Sequence, residues 1–301
     1  MRGAKSASTA AAPAAMTQLS FEGLTGDPAP VEPPSAPLPL NPEGNIVGEV
    51  FRTLPTTTAH QARLQLYQPT RRPQWLERRI DTPWGTATVR GKIGQVHADI
   101  IEAICRHAED YRMVPVTGHM QLLVDPYKVR VSVGGGKAYS RDTLWRMLTE
   151  LRETSITLEV PSRGLKILGG ILDRVEESPA TRYNKLTGKQ RHLWRVTLDP
   201  AFAGLLREDL NLYYDPEPLA KIETGVAQAI ARHILTHRDQ PTGGWVLDNL
   251  IELVGAGGDS ETMRNRRRDV HNSATSLKAV GIVIEDGRLL RASNEPMKEA
   301  A

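Results

Sequence analysis

From Ala59 onward, apolar positions recur with two different periods, and the switches between them mark out the elements. In "VHADIIEAICRHAED" (96–110), Ile100, Ile101, Ile104 and Ala108 fall at helical spacing. "YKVRVSVGG" (127–135) alternates Val129, Val131 and Val133 and runs into glycines, so it reads as a strand. "SRDTLWRMLTELRET" (140–154) returns to the helical period, with Leu144, Met147, Leu148 and Leu151 as its stripe and Ser140 as N-cap. β sequence follows: "SITLEV", a "PSRG" turn, "LKILGGILDRV", a polar loop and "RHLWRVTLD".

Helical periodicity then resumes. "PAFAGLLRED" (200–209) is short. "PLAKIETGVAQAIARHILTHR" (218–238) reads as one long helix with Ile222, Val226, Ala229, Ile230, His233 and Ile234 on one face. "VLDNLIELVG" (246–255) stops at a glycine. "SETMRNRRRDVHNSATSLKAVG" (260–281) starts at Ser260 and ends at Gly281, a cap and a helix stop. In "IVIEDGRLLR", Asp286-Gly287 separates two short β-like runs, a strong hairpin signal.

Helices, a capped helix with apolar and basic faces, and a hairpin thus occur in that order twice. This is the order of a winged helix, in which the second helix of a pair enters the major groove and the hairpin touches the backbone beside it. The expected fold is α+β: a disordered Pro/Ala-rich tail (1–58), an N-terminal winged-helix domain (59–198) and a C-terminal one (199–301). A length of 301 residues accommodates two domains and a tail.

The tail follows from composition. Residues 1–55 hold nine of the 21 prolines, as in "GDPAPVEPPSAPLPLNPEG". Such a segment buries too little apolar surface to offset its ordering entropy; it reads as a spacer or a partner-docking arm. "MRGAKSASTAAAPAAM" lacks the apolar core of a signal peptide, and no apolar run reaches membrane-spanning length. Cys105 is the single cysteine, which excludes an internal disulfide and a zinc finger and makes the cytoplasm the default setting. Residues 1–50 carry two basic and five acidic residues, leaving 36 basic against 30 acidic in the rest. The folded part is therefore mildly basic, which permits a polyanionic partner without demanding one.

The arginines of 261–291 change that picture. At about 100° per residue, Met263, Val270, Ala274 and Leu277 form a narrow apolar stripe. Arg264, Arg268, His271, Asn272 and Thr275 lie opposite, Arg267 and Lys278 flank one side, and Arg266 flanks the other with Asp269 beyond it. Arg, Asn and Thr reach base edges, and Arg and Lys reach phosphates. A solvated face laced with salt bridges is the plain alternative, but within this helix only Glu261 and Asp269 are available as acidic partners. Arg288 and Arg291 on the hairpin suit phosphates.

The first half has looser clusters that could touch DNA: Lys137, Ser140, Arg141, Thr143 and Arg146 around the 140–154 helix, Arg163 and Lys166 by the PSRG turn, and Arg182, Lys185 and Lys189 in "TRYNKLTGKQRH". Trp145 reads as structural. "GGGKA" (134–138) lacks the G-x-x-x-x-G-K-[ST] pattern of a phosphate loop. "HILTH" spaces His233 and His237 like zinc ligands but lacks the Glu of H-E-x-x-H. Tyr213-Tyr214 lacks the His-x-His motif of a DNA-nicking enzyme. No metal, cofactor or catalytic constellation is expected.

"GDSETMRNRRRDVHNSATSLKAVGI" resembles the C-terminal signature of plasmid replication initiators of the IncQ RepC type, through Thr262, Met263, Arg264, Arg266 and Arg267. "RVTLDPAFAGLL…LNLYYDPEPLAKIETGVAQAIARHIL" is similar to the family's preceding segment. The resemblance covers about 90–291 and is strongest over 193–291; His271 and Asn272 depart from the pattern, so their role rests on face geometry. It implies tandem winged-helix domains that bind directly repeated sites (iterons) in double-stranded plasmid origin DNA, open an adjacent AT-rich segment, recruit a replicative helicase and exchange between monomer and dimer, without nucleotide or metal. The competing readings are a winged-helix transcriptional regulator and a tyrosine nuclease.

Overall fold

The structure, a computed structural model, describes residues 54–63, 65–82, 85–114, 116–134, 138–161, 164–183, 190–208 and 211–292. The tail up to residue 53 lies outside them. Residues 54–58, expected in the tail, do not: β1 (Thr57–Thr58) pairs antiparallel with β10 (Asn211–Leu212), and Leu54 is buried. After α1 (Ala59–Arg63) come β2 (Leu76–Thr82), β3 (Gly85–Gly91), α2 (Gln95–Arg106), β4 (Ala108–Met113) and β5 (Met120–Val124). The chain continues through α3 (Pro126–Val133), α4 (Arg141–Arg152), β6 (Ser155–Val160), β7 (Leu165–Gly170), β8 (Leu172–Tyr183), β9 (Gln190–Leu198) and α5 (Pro200–Glu208). Beyond β10 follow α6 (Pro216–Ala220), α7 (Gly225–Leu235), β11 (Trp245–Val246), α8 (Leu247–Leu253), α9 (Ser260–Asn272), α10 (Ala274–Ala279), β12 (Ile282–Glu285) and β13 (Arg288–Arg291). The α+β class is as read from the sequence, and no helix among the described residues is long and apolar enough to cross a membrane.

Two apolar cores organise these elements. The first runs from Leu54 to Leu206 around α2, α4 and the sheet β4-β5-β9-β8; the second runs from Leu219 to Leu289 around α7, α8, α9 and the sheet β11-β13-β12. A further sheet, β2-β3-β6-β7, belongs to the first half. In each half two helices and a hairpin follow a strand that pairs with the hairpin's second strand (β5 with β9, β11 with β13), but in the first half that strand is itself the second of a hairpin, β4–β5. The first half differs by an inserted hairpin, β6–β7, between α4 and β8.

Three elements depart from the periodicity. Residues 126–133 are helix α3, not a strand. Asp125 accepts a hydrogen bond from Tyr127 N, and Pro126 occupies the first turn, where its missing N–H costs nothing. Val129 and Val133 are buried one turn apart while Val131 is 37% exposed, so the alternation conceals an i, i+4 pair. The helix expected over 218–238 is broken into α6 and α7, because Thr224 caps a new start by accepting from Ala227 N. Gly225 is required there: a Cβ would lie 2.3 Å from Thr70 Cα, in the strap of chain between α1 and β2 that lies against the start of α7.

The arginine helix also breaks, at Ser273. Its buried hydroxyl lies 3.0 Å from Thr224 Oγ1. Met263, Val270 and Leu277 are buried as expected, but the break turns Ala274 out to solvent. The cap is Asp259, whose carboxylate accepts from Thr262 N, rather than Ser260. Asp286 (φ 46°) and Gly287 (φ 72°) form the two-residue turn of the expected hairpin, both in the left-handed region that suits a type I′ turn.

A polar joint connects the cores. Of the twelve residues of α2 only Arg106 escapes burial, so its polar side chains must find partners inside the protein. Arg232 of α7 supplies them: Nε donates to Glu102 (2.8 Å), Nη1 to Gln95 (2.7 Å) and Nη2 to Asp99 and Glu102. Burial opposes the Arg232 charge, but Glu102 and Asp99 outweigh it and hold the guanidinium protonated well beyond its ordinary range. Arg71 adds bonds to the Ala220 and Ile222 carbonyls (3.2 Å each), tying the strap to the end of α6.

Candidate nucleic-acid interface

Helices α8 and α9 are joined by a short connection, with Gly255 at φ 73° ending the first and Asp259 capping the second. The burial of Met263 and Val270 fixes which side of α9 faces solvent. Arg264, Arg268, His271 and Asn272 are exposed, and Thr275 and Lys278 extend the exposed stripe onto α10. Positions 264, 268 and 271 follow helical spacing along α9, and Thr275 and Lys278 are exposed beyond the break at Ser273. Arg264, Arg268 and Lys278 have no ion pair or side-chain hydrogen bond among the described residues.

The other two arginines are engaged. Arg266 meets Asp269 at 3.6 Å. Arg267 donates from Nε and Nη2 to the two oxygens of Asp248 on α8, at 2.6 and 2.8 Å. Sequence reasoning missed Asp248 because it weighed acidic partners within the helix alone; its one signal is an acidic residue in the first turn of α8. The Arg267 hydrogen bonds hold the Asp248 carboxyl below its usual range, and the same pair raises Arg267.

The hairpin contributes less than its sequence suggested. Arg291 donates to the carbonyls of Ile234 (2.8 Å), Arg238 (3.1 Å) and His237, so its guanidinium closes the end of α7 instead of projecting toward a ligand. Arg288 is exposed and reaches the Gly243 carbonyl at 3.3 Å. The tip itself presents Glu285 and Asp286, both exposed.

In the first half the corresponding cations are paired one by one. Ser140 caps α4 by accepting from Thr143 N (3.0 Å) and donates to the Thr143 hydroxyl, so both residues serve the helix start. Arg141 pairs with Glu177 and lies over the Trp194 ring (5.7 Å). Arg146 meets Glu150 (3.3 Å), and Arg152 donates to the Asp173 carbonyl (3.0 Å). Lys166 pairs with Glu159 (2.6 Å), and Arg182 pairs with buried Glu109. Trp145 packs edge-on against Trp194 at 5.5 Å, the structural role expected of it. Lys137, Arg163, Lys185 and Lys189 lie outside the described residues.

The remaining sequence candidates range from buried His233 to partly buried His237 and Tyr214 and exposed Tyr213. The imidazoles of His233 and His237 approach to 3.0 Å between Nε2 atoms, and His237 packs against Trp245. Tyr214 donates to Glu102 (2.8 Å), and burial beside that carboxylate raises its phenol well above the usual range. Burial pushes the Cys105 thiol up to about 12.

No protein-family model matches the chain, and no curated protein does. Among solved structures, the crystal structure of domains 2 and 3 of RctB matches with a TM-score of 0.47 and 13% sequence identity, covering 78% of this chain and 96% of that one. A likeness that distant carries neither fold nor function across.

Proposed function

We propose that the chain binds duplex DNA through α9 and acts as a plasmid replication initiator at directly repeated origin sites. The observation that carries the DNA reading is the free cationic row Arg264–Arg268–Lys278, interleaved with His271, Asn272 and Thr275, on a helix whose opposite side is locked in the core. Such a row pairs phosphate-seeking charge with groups that donate to base edges. The second half follows the element order of a winged helix, which supports placing α9 in the major groove. The acidic hairpin tip supports a wing that meets the backbone only along its Arg288 side.

The narrower role rests on the resemblance over 193–291 to initiators of the IncQ RepC type. With it come iteron binding, local opening, helicase recruitment and monomer–dimer exchange, while the single cysteine favours a cytoplasmic setting. Tyr214, the nucleophile a nicking enzyme would need, is partly buried and donates its hydroxyl to Glu102, which supports a protein that opens DNA without cutting it. Footprinting on the host replicon's origin tests the whole reading. Protection repeating about every 20 base pairs, two helical turns on one face, is expected. A variant lacking Arg264, Arg266, Arg267 and Arg268 that still binds with unchanged affinity would remove α9 from the interface.

A further inference from the structure

The contact between Arg267 and Asp248 differs in kind from the other cation contacts on this face. Arg266 meets its partner once, at 3.6 Å, and Arg264 and Arg268 are not held at all. Asp248 takes Arg267 side-on through both Nε and Nη2. Two parallel bonds fix the plane of a guanidinium as well as its position. They leave its other edge, formed by Nη1 and the second N–H of Nη2, without a partner among the described residues, and both side chains remain 44% exposed.

An unheld arginine must give up rotamer freedom before it can donate two bonds to one base. Arg267 has already lost that freedom in the free protein. Two-point donation to guanine O6 and N7 is the commonest base-specific contact in the major groove, whereas phosphates accept from flexible cations in many geometries. We propose that Asp248 is a positioning residue that presents the free edge of Arg267 to a guanine, so that Arg267 is the base-reading arginine of α9 and Arg264 and Arg268 contact phosphates. This rests on the reading of α9 as a DNA-contacting helix.

The probe is a duplex that the full-length protein selects from a randomised pool, together with all its single-base-pair variants, titrated by fluorescence anisotropy at several salt concentrations. Failure of the protein to enrich any sequence would overturn the DNA reading itself. Given enrichment, Arg267→Ala is expected to erase discrimination at one G·C pair by about tenfold or more and leave the other positions unchanged. Asp248→Asn, nearly isosteric, is expected to lose discrimination at the same pair, with no added loss in the double variant. Arg267→Lys, which keeps the charge without the two-point edge, is expected to lose it too while the salt slope stays. Arg264→Ala and Arg268→Ala should instead weaken every duplex alike, each lowering the salt slope by about one. The proposal is overturned if Arg267→Ala behaves like those two. It is equally overturned if Asp248→Asn lowers thermal stability alone, or if it tightens binding to every duplex, which would make Asp248 a restraint.

Discussion

Helices α4 and α9 stand at equivalent points in the two halves of the molecule, and their cations behave differently. Each follows a short helix, each starts at a side-chain cap (Ser140, Asp259), and each leads toward a hairpin whose second strand is central to its sheet. α4 carries three arginines and α9 four, a difference too small to separate their roles. The separation lies in pairing. Arg141, Arg146 and Arg152 all have protein partners, whereas Arg264 and Arg268 have none among the described residues. In a mildly basic protein the number of arginines on a helix says little about DNA; the number left without an acidic neighbour says more, because only those are available to replace condensed counterions.

The largest test of this comparison concerns the joint that holds the halves together. Replacing Arg232 by Met leaves Glu102 buried without its cation and Asp99 with only Arg71, at 3.5 Å. The expected cost is about 3–5 kcal/mol, the range for removing one partner of a buried ion pair. Urea unfolding measures it, and an unchanged midpoint would show that the halves are held by apolar contact alone. Next in size is a matched pair of double variants. Arg264→Ala with Arg268→Ala should lower the slope of log affinity against log salt by about two. Arg141→Ala with Arg146→Ala should leave it unchanged. Equal losses from the two would abolish the distinction drawn between α4 and α9.

What the sequence revealed follows from where each decision is made. Ser140, Gly281 and Asp286-Gly287 act within a few residues of themselves, so the start of α4, the end of α10 and the final hairpin were all readable. The breaks at Thr224 and Ser273 were not: the apolar period over 218–238 runs past the local cap at Thr224, and the Ser273 hydroxyl finds its partner 49 residues away, on Thr224. α3 was misread because a V-x-V-x-V run satisfies the strand period and, at Val129 and Val133, the helix period too; the Asp125-Pro126 start signal decides between them. The composition of the arginine face was legible, but its division into held and free cations was not. Asp248 and the carbonyls bound by Arg291 lie on other elements, and no spacing within one helix reports them.

A smaller effect is expected at the two caps. Ser140→Ala and Asp259→Ala each remove a side-chain acceptor from the first turn of a helix, at a cost of about 1 kcal/mol. Thermal melts should therefore treat them alike. DNA binding should not: fraying the start of α9 loosens the turn that leads into Arg264, while fraying α4 disturbs arginines that already have protein partners. If Ser140→Ala weakens DNA binding as much as Asp259→Ala, α4 belongs in the interface with α9.

The smallest effect is a difference in acid sensitivity between the halves, carried by His97. Its Nδ1 accepts from Gly94 N at 3.2 Å, so Nε2 bears the proton and donates to Glu150 at 2.9 Å, with Lys92 and Arg146 on the same carboxylate. Burial lowers the His97 pKa below its ordinary 6.5. Between the two values the unfolded chain binds a proton that the folded chain refuses, so stability rises with pH across that window and is lost as pH falls below about 6.5. His107, also in the first half and also lowered by burial, acts in the same direction. In the second half, Asp248 and Asp259 are held below their ordinary 3.8, so their contribution persists to lower pH and disappears only beneath that value. Acid should therefore loosen α2 before α9, and His97→Gln should flatten the decline just below pH 6.5. Amide exchange resolved by segment measures both. Faster loss of protection in α9 than in α2 over that window would show that the two halves do not differ in this way.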